Sequence, residues 1–163
     1  MTDKNAIIVK PSAAQAFDAF RERGRVLFFS APCGFGKTAL ADTLLDGCPV
    51  LRLNAGAAGF ALPSPEDAWD TLLIDDLQCV QEERDWQALY ALIRESTGRR
   101  FVLLSRGIPP ACLMAFQYAG MMTVLHAEEL LFDREDIRRL LQAHGTEATD
   151  SEISAILRET SGY

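Results

Sequence analysis

Basic residues are in short supply and never cluster: 16 Lys and Arg stand against 23 Asp and Glu, a formal net charge of −7. Binding a nucleic-acid backbone requires grouped cations that displace its counterions, so this chain is not expected to bind DNA or RNA directly. Histidine is scarcer still, with two residues, and the four cysteines (Cys33, Cys48, Cys79 and Cys112) never form a C-x-x-C pair. That spacing offers no zinc or redox motif and no disulfide framework; reduced thiols in a cytoplasmic protein are the expected state. The apolar run at residues 6–9 is too short for the core of a signal peptide. Residues 107–127 carry no formal charge if His126 is neutral, enough chain to cross a bilayer. Pro109, Pro110, Gln117, Gly120 and Thr123 interrupt that stretch, so a buried helix followed by a buried strand is expected there and no membrane association. Internal repeats and low-complexity linkers are also missing.

What is present suffices for one domain with a good apolar core: 163 residues, 48% of them hydrophobic. Ser12 and Gln15 match a capping box after Pro11, with Phe17 and Phe20 on one helical face and Gly24 at its end. Short apolar runs at 26–29 and 121–125 read as buried strands, and those at 50–53, 71–74 and 101–104 as the second, third and fourth strands. Between them, helices are expected from Lys37 to Gly47, as a short start at 64–67, through Trp86, Leu89, Tyr90 and Ile93, and over 110–119. Strands that are apolar throughout and alternate with helices imply a mainly parallel five-stranded sheet covered on both faces, an α/β three-layer fold. The alternation then stops. Asp133 caps a helix carrying Ile137, Leu140 and Leu141, and Thr149 with Glu152 form a capping box before Ile153, Ile156 and Leu157. The expected organisation is a core over residues 1–128 and the beginning of a helical subdomain over 129–163, with the chain ending as a trimmed piece of something longer.

The most informative string is Ala31-Pro32-Cys33-Gly34-Phe35-Gly36-Lys37-Thr38. It fits the phosphate-loop pattern G-x-x-x-x-G-K-[ST], with Ala31 in place of the first glycine, and it stands between a strand and a helix as that pattern requires. Glycine lets the backbone approach phosphate oxygens closely, and the exposed N–H groups at a helix N-terminus favour an anion. Cys33, Gly34, Phe35, Gly36, Lys37, Thr38 and Ala39 are therefore the candidate nucleotide-binding set. Lys37 would neutralise the β- and γ-phosphates of ATP, and Thr38 would offer its hydroxyl to Mg²⁺. Ala31 is tolerable if its backbone does not need positive φ. Cys33 reads as a small filler or as a modifiable thiol.

Asp75 and Asp76 follow the third strand, where a carboxylate points into the ligand crevice of a parallel sheet. Asp75 is the candidate Mg²⁺ partner, acting through water because Mg²⁺ keeps much of its hydration shell. Asp76 would orient or deprotonate an attacking water, and reads equally well as a solvated turn residue. Arg106 follows the fourth strand in the same way: a guanidinium there would sense the γ-phosphate or stabilise charge in transfer, or it is a surface arginine.

Taken together, residues 30–38 resemble the phosphate loop of MalT-like, LuxR-family transcriptional regulators, members of the STAND class of signalling ATPases, in which Ala at the first loop position is common. Leu73-Ile74-Asp75-Asp76 resembles that family's acidic strand end, and Leu103-Leu104-Ser105-Arg106 its sensor strand. Glu129-Leu130-Leu131-Phe132 with Glu135 and Leu140-Leu141 resembles the start of its helical domain, and Glu159-Thr160-Ser161-Gly162-Tyr163 its T-x-G-W-P signature, with Tyr163 for tryptophan. The resemblance implies an ATP/ADP-controlled switch with slow Mg²⁺-dependent hydrolysis, governed by Asp76 and Arg106, and a nucleotide-dependent oligomer. It also implies partner domains outside this chain: helical, sensor and DNA-binding. The interval between Lys37 and Asp75 is short for the family. Its arginine-rich segment before the first helix is replaced by Ile7-Ile8-Val9-Lys10, a candidate for the adenine side. A small-molecule kinase on the same scaffold would need an acceptor site and a basic lid. A degenerate phosphate loop would bind a partner and no nucleotide.

Overall fold

The computed structural model describes residues 7–163; Ala6, at the start of the short apolar run, lies outside the described residues. Five strands form one sheet: β1 (Val26–Ser30), β2 (Val50–Asn54), β3 (Thr71–Asp75), β4 (Arg100–Ser105) and β5 (Met122–His126). The order is β2-β3-β4-β1-β5 and every pairing is parallel. Each strand runs one residue further than its apolar run, which brings Ser30, Asn54, Asp75, Ser105 and His126 to the same carboxyl edge.

Alternation of side chains along a strand sorts the core into two halves. Leu27 and Phe29 of β1 pack with Leu73, Val102 and Leu104 against helices α1 (Pro11–Glu22) and α2 (Lys37–Leu44), through Phe17, Phe20 and Leu40. Val26 and Phe28 face the other way, with Leu72, Ile74, Phe101 and Leu103, against α3 (Glu83–Glu95) and α4 (Met114–Tyr118), through Leu89, Ile93 and Phe116. The three layers are those the alternation of apolar runs implies.

Crossovers from β1 and from its neighbour β4 thus leave toward opposite faces, since α2 covers one and α4 the other. A crevice opens outside the carboxyl ends of adjacent strands where that happens. The loop after β1 and the ends of β3 and β4 all meet there.

Several local expectations are corrected. The Ser12–Gln15 box does not form: Pro11 takes the first helical position, Lys10 is the N-cap, and Ser12 sits inside the first turn. Proline's fixed φ suits that position, so it sets the start two residues earlier than the box at Ser12 would. No helix begins at 64–67. The Ser64 N–H donates to Asp67 Oδ2 (2.7 Å) and the Glu66 N–H to Ser64 Oγ (3.2 Å), a closed turn. Trp69 must then be buried edge-on against Phe101 (5.4 Å between centroids), so β3 starts before a helix can propagate. Residues 110–119 form a 3₁₀ turn (Ala111–Leu113) running into the short α4, not one helix. β2 forms a half-exposed edge of the sheet, with Arg52 paired to Asp42 of α2. A short helix that the sequence reading did not separate, α5 (Ala127–Leu130), follows β5.

Helices α6 (Arg134–Ala143) and α7 (Asp150–Thr160) have the expected caps, Asp133 and Thr149. The Asp136 side chain of α6 is fully buried and paired; Arg139 Nη2 lies 3.1 Å from its Oδ1, and Lys10 Nζ 3.7 Å from its Oδ2. That contact ties the helical pair to the start of α1. Among the described residues, no helix is long and apolar enough to cross a membrane.

Candidate functional site

The loop between β1 and α2 turns on Gly34 (φ 89°) and Gly36 (φ 68°), the latter serving as N-cap of α2 in the left-handed region. Both conformations favour glycine. Ala31 is not among the positive-φ residues; its side chain is buried in the core between the sheet and α2. The departure from the loop pattern therefore carries no backbone strain.

A polar cavity of about 330 Å³ lies over this loop and is lined by Cys33, Gly34, Gly36, Lys37, Thr38, Ala39, Asp75, Asp76 and Arg106. Every residue expected from the sequence is there except Phe35. That side chain turns to an apolar pocket of about 210 Å³ on the other side of the loop, lined by Ile7, Ile8, Leu40, Leu130, Phe132 and Leu140 among others. Gly36 and Ala39 border both spaces.

Lys37 Nζ donates to the carbonyls of Ala31 (2.7 Å) and Pro32 (2.8 Å), folding its ammonium back over the loop. Burial holds it below the ordinary lysine range, while the Asp75 carboxylate acts in the opposite sense. Thr38 Oγ1 donates to Asp75 Oδ2 at 2.8 Å, joining the first turn of α2 to the end of β3. A hydroxyl and a carboxylate side by side at this cavity are hard oxygen donors, a set that fits Mg²⁺. Among the described residues, no three His, Cys, Asp or Glu side chains form a metal site by themselves.

Asp76 adopts the left-handed conformation (φ 54°). Its Oδ1 accepts from Gln78 Nε2 (2.6 Å) and its Oδ2 from Asn54 Nδ2 (3.0 Å). Arg106 Nη2 stands 3.8 Å from Oδ1. Gln78 first, then Asn54, hold the carboxyl below the usual carboxylate range, and Arg106 adds in the same direction. A carboxylate so stabilised is a weak base, better suited to orienting a water than to deprotonating it. The Gln78 side chain also accepts the Arg106 N–H through Oε1 (3.1 Å), coupling the ends of β3 and β4.

Sequence reasoning missed Asn54 and Gln78. The signal for Asn54 was its register: it ends β2 opposite Asp75. Gln78 lies two residues past Asp76, and only the left-handed turn at Asp76 brings it back. Tyr163, the residue at the tryptophan position of the family signature, reaches the loop: its hydroxyl donates to the Cys33 carbonyl (3.2 Å) and its ring meets Phe35 edge-on at 5.0 Å.

No known family profile and no curated protein matches the chain. Solved structures do. A STAND protein with a tetratricopeptide repeat sensor, from Pyrococcus horikoshii, superposes with a TM-score of 0.61 at 12% identity, over 96% of this chain. The fold is that of the P-loop NTPases. This chain spans 28% of that protein's length. A Bacteroides Pif1 in complex with ADP-AlF4 aligns with a TM-score of 0.42 and 10% identity, over 90% of this chain and 48% of its own.

Proposed function

We propose that this chain is a cytoplasmic ATP/ADP-binding switch module with slow Mg²⁺-dependent hydrolysis, from a STAND-class regulator of the LuxR/MalT-like kind. The observation that carries the reading is the Thr38–Asp75 hydrogen bond (2.8 Å) beside Lys37 and the glycine loop. It joins loop cation, hydroxyl and acidic strand end in one cavity.

The two spaces bordered by Gly36 and Ala39 match the two ends of a nucleotide. The polar one would take the phosphates on the loop N–H groups and Lys37. The apolar one would take the base between Ile7, Ile8 and Phe35 on one side and Leu130, Phe132 and Leu140 on the other. Thr38 and, through water, Asp75 would hold Mg²⁺, which when bound neutralises charge on the phosphate oxygens. Asp76 would orient the attacking water, and Arg106 would sense the γ-phosphate. Because the base pocket draws on both the core and the helical segment, nucleotide state would bias how the two pack. In the parent protein that bias would be passed to sensor and DNA-binding domains and to assembly of an oligomer.

The kinase alternative requires a basic lid. Among the described residues, Arg106 supplies the one guanidinium at the phosphate cavity, which favours the switch. Calorimetric titration with ATP and ADP, with and without Mg²⁺, on this chain and on Lys37→Ala tests the reading. Saturable binding lost in the variant is expected. Equal binding by both proteins would sink the phosphate-loop site, and binding by neither would leave the degenerate, partner-binding module.

A further inference from the structure

We infer that Asn54 is a positioning residue for hydrolysis, fixing the Asp76 carboxylate so that its free lone pairs face the phosphate cavity. The inference rests on the nucleotide-switch reading and extends it to a residue on the sheet edge.

Asp76 needs such help. Its left-handed backbone (φ 54°) follows the last residue of β3, and the chain turns at once into the 3₁₀ turn Leu77–Cys79. A short side chain at a sharp bend has no neighbours of its own strand to hold it. Two neutral amides do so instead, one on each oxygen: Gln78 on Oδ1 and Asn54 on Oδ2. Each carboxylate oxygen has about two acceptor sites, so one site per oxygen remains for the cavity. Neutral donors orient a carboxylate without cancelling its charge, which the 3.8 Å Arg106 contact alone would tend to do.

Asn54 is itself rigidly seated. It is paired with Asp75 in the β2–β3 register, and the next residue, Ala55, donates its N–H to the Asp75 carbonyl (2.9 Å). Its Oδ1 accepts the Gly56 N–H (2.7 Å), closing a turn after β2. One amide group therefore does two jobs: the oxygen holds the turn and the nitrogen holds Asp76.

The isosteric Asn54→Asp keeps an acceptor for Gly56 and removes the donor to Asp76, but sets a second carboxylate beside it; Asn54→Ser, which adds no charge, controls for that repulsion. The test measures ADP affinity and the single-turnover rate with MgATP for the unsubstituted chain, Asn54→Asp, Asp76→Asn and the double variant. Asn54→Ser, whose hydroxyl can still donate, serves as a second variant should the Asp form fold poorly. Expected are ADP affinity within about twofold, a hydrolysis rate lowered about 10- to 100-fold in Asn54→Asp, a smaller loss in Asn54→Ser, and no further loss when Asn54→Asp is added to Asp76→Asn. An Asn54→Asp rate equal to that of the unsubstituted chain assigns Asn54 to the turn alone and overturns the proposal. So does a loss that persists undiminished in the Asp76→Asn background. An unsubstituted chain that binds nucleotide without hydrolysing it also overturns this proposal but spares the binding reading; one that binds no nucleotide overturns both.

Discussion

Ala31 stands where phosphate loops usually carry glycine, and its methyl group is nearly sequestered, at 1% exposure among Leu40, Leu104 and their neighbours. Restoring glycine there removes a buried methyl and adds backbone freedom to the unfolded chain. Ala31→Gly is therefore expected to destabilise the protein by about 1 kcal/mol, read as a lower urea midpoint, with nucleotide affinity unchanged. A more stable variant would mean that the alanine backbone is strained after all. Gly34 is the opposite case: a Cβ would come within 1.8 Å of the Tyr163 hydroxyl, on a backbone at φ +89°. Gly34→Ala should expel Tyr163 from the loop, which the fluorescence of Tyr163 against a Tyr163→Phe control would report. The loop residues were legible in the sequence because each is required by spacing and type. Asn54 and Gln78 were not, because their role depends on one residue, Asp76, adopting a left-handed turn that aspartate takes only occasionally.

At the level of elements, the caps of the last two helices could be read directly, and the first could not. Asp133 caps its helix unopposed and Thr149 prevails over Asp150 and Ser151 because Glu152 closes its capping box, whereas Ser12 is preceded by a proline that takes over the helix start. Asp133 Oδ1 accepts the N–H groups of Glu135 and Asp136, both at 2.9 Å. Those bonds, the Asp136 N–H foremost, hold its carboxyl below the usual range. The sign follows: a depressed native value stabilises the folded state above the unfolded carboxylate range, and the benefit is lost as pH falls through the native value. Asp133→Ala should cost about 1 kcal/mol at neutral pH. The gap to the unsubstituted chain should narrow as urea titrations are stepped toward acid; a gap independent of pH would exclude the charged cap as its source. The buried strands β1, β3 and β4 were legible from their unbroken apolar runs. β2 differs: Arg52 interrupts its apolar run, and a charged residue in mid-strand suits the half-exposed edge position it takes.

For the molecule as a whole, the question is what would let the sheet and the helical pair respond to one ligand. Three parts of the chain converge on the apolar pocket: the segment before α1, the start of α2, and residues 130–140. The buried Asp136 holds the first and last together through Lys10, which also donates to the Leu131 carbonyl. Removing one partner of a buried ion pair costs about 3–5 kcal/mol, chiefly because the other charge is stranded. Lys10 retains some exposure (17% of its side chain), so the loss in Asp136→Ala should fall at or below the lower end of that range. Asp136→Asn, which still offers an oxygen to the Asp133 N–H, should lose less. If the proposed nucleotide spans both cavities, the two variants should also differ in what they bind. Asp136→Ala would weaken adenosine and ADP together, because one wall of the base pocket is no longer anchored. Inorganic pyrophosphate, held by the loop N–H groups and Lys37 alone, should bind as before. Titrations with adenosine, ADP and pyrophosphate, each paired with a thermal melt, separate the possibilities. Ligand at 100 times its dissociation constant stabilises by about 2.7 kcal/mol, several degrees for a chain of this size. Equal losses for ADP and pyrophosphate would mean that the ion pair supports the whole fold and not the base pocket, and that the helical pair has no separate part in sensing nucleotide.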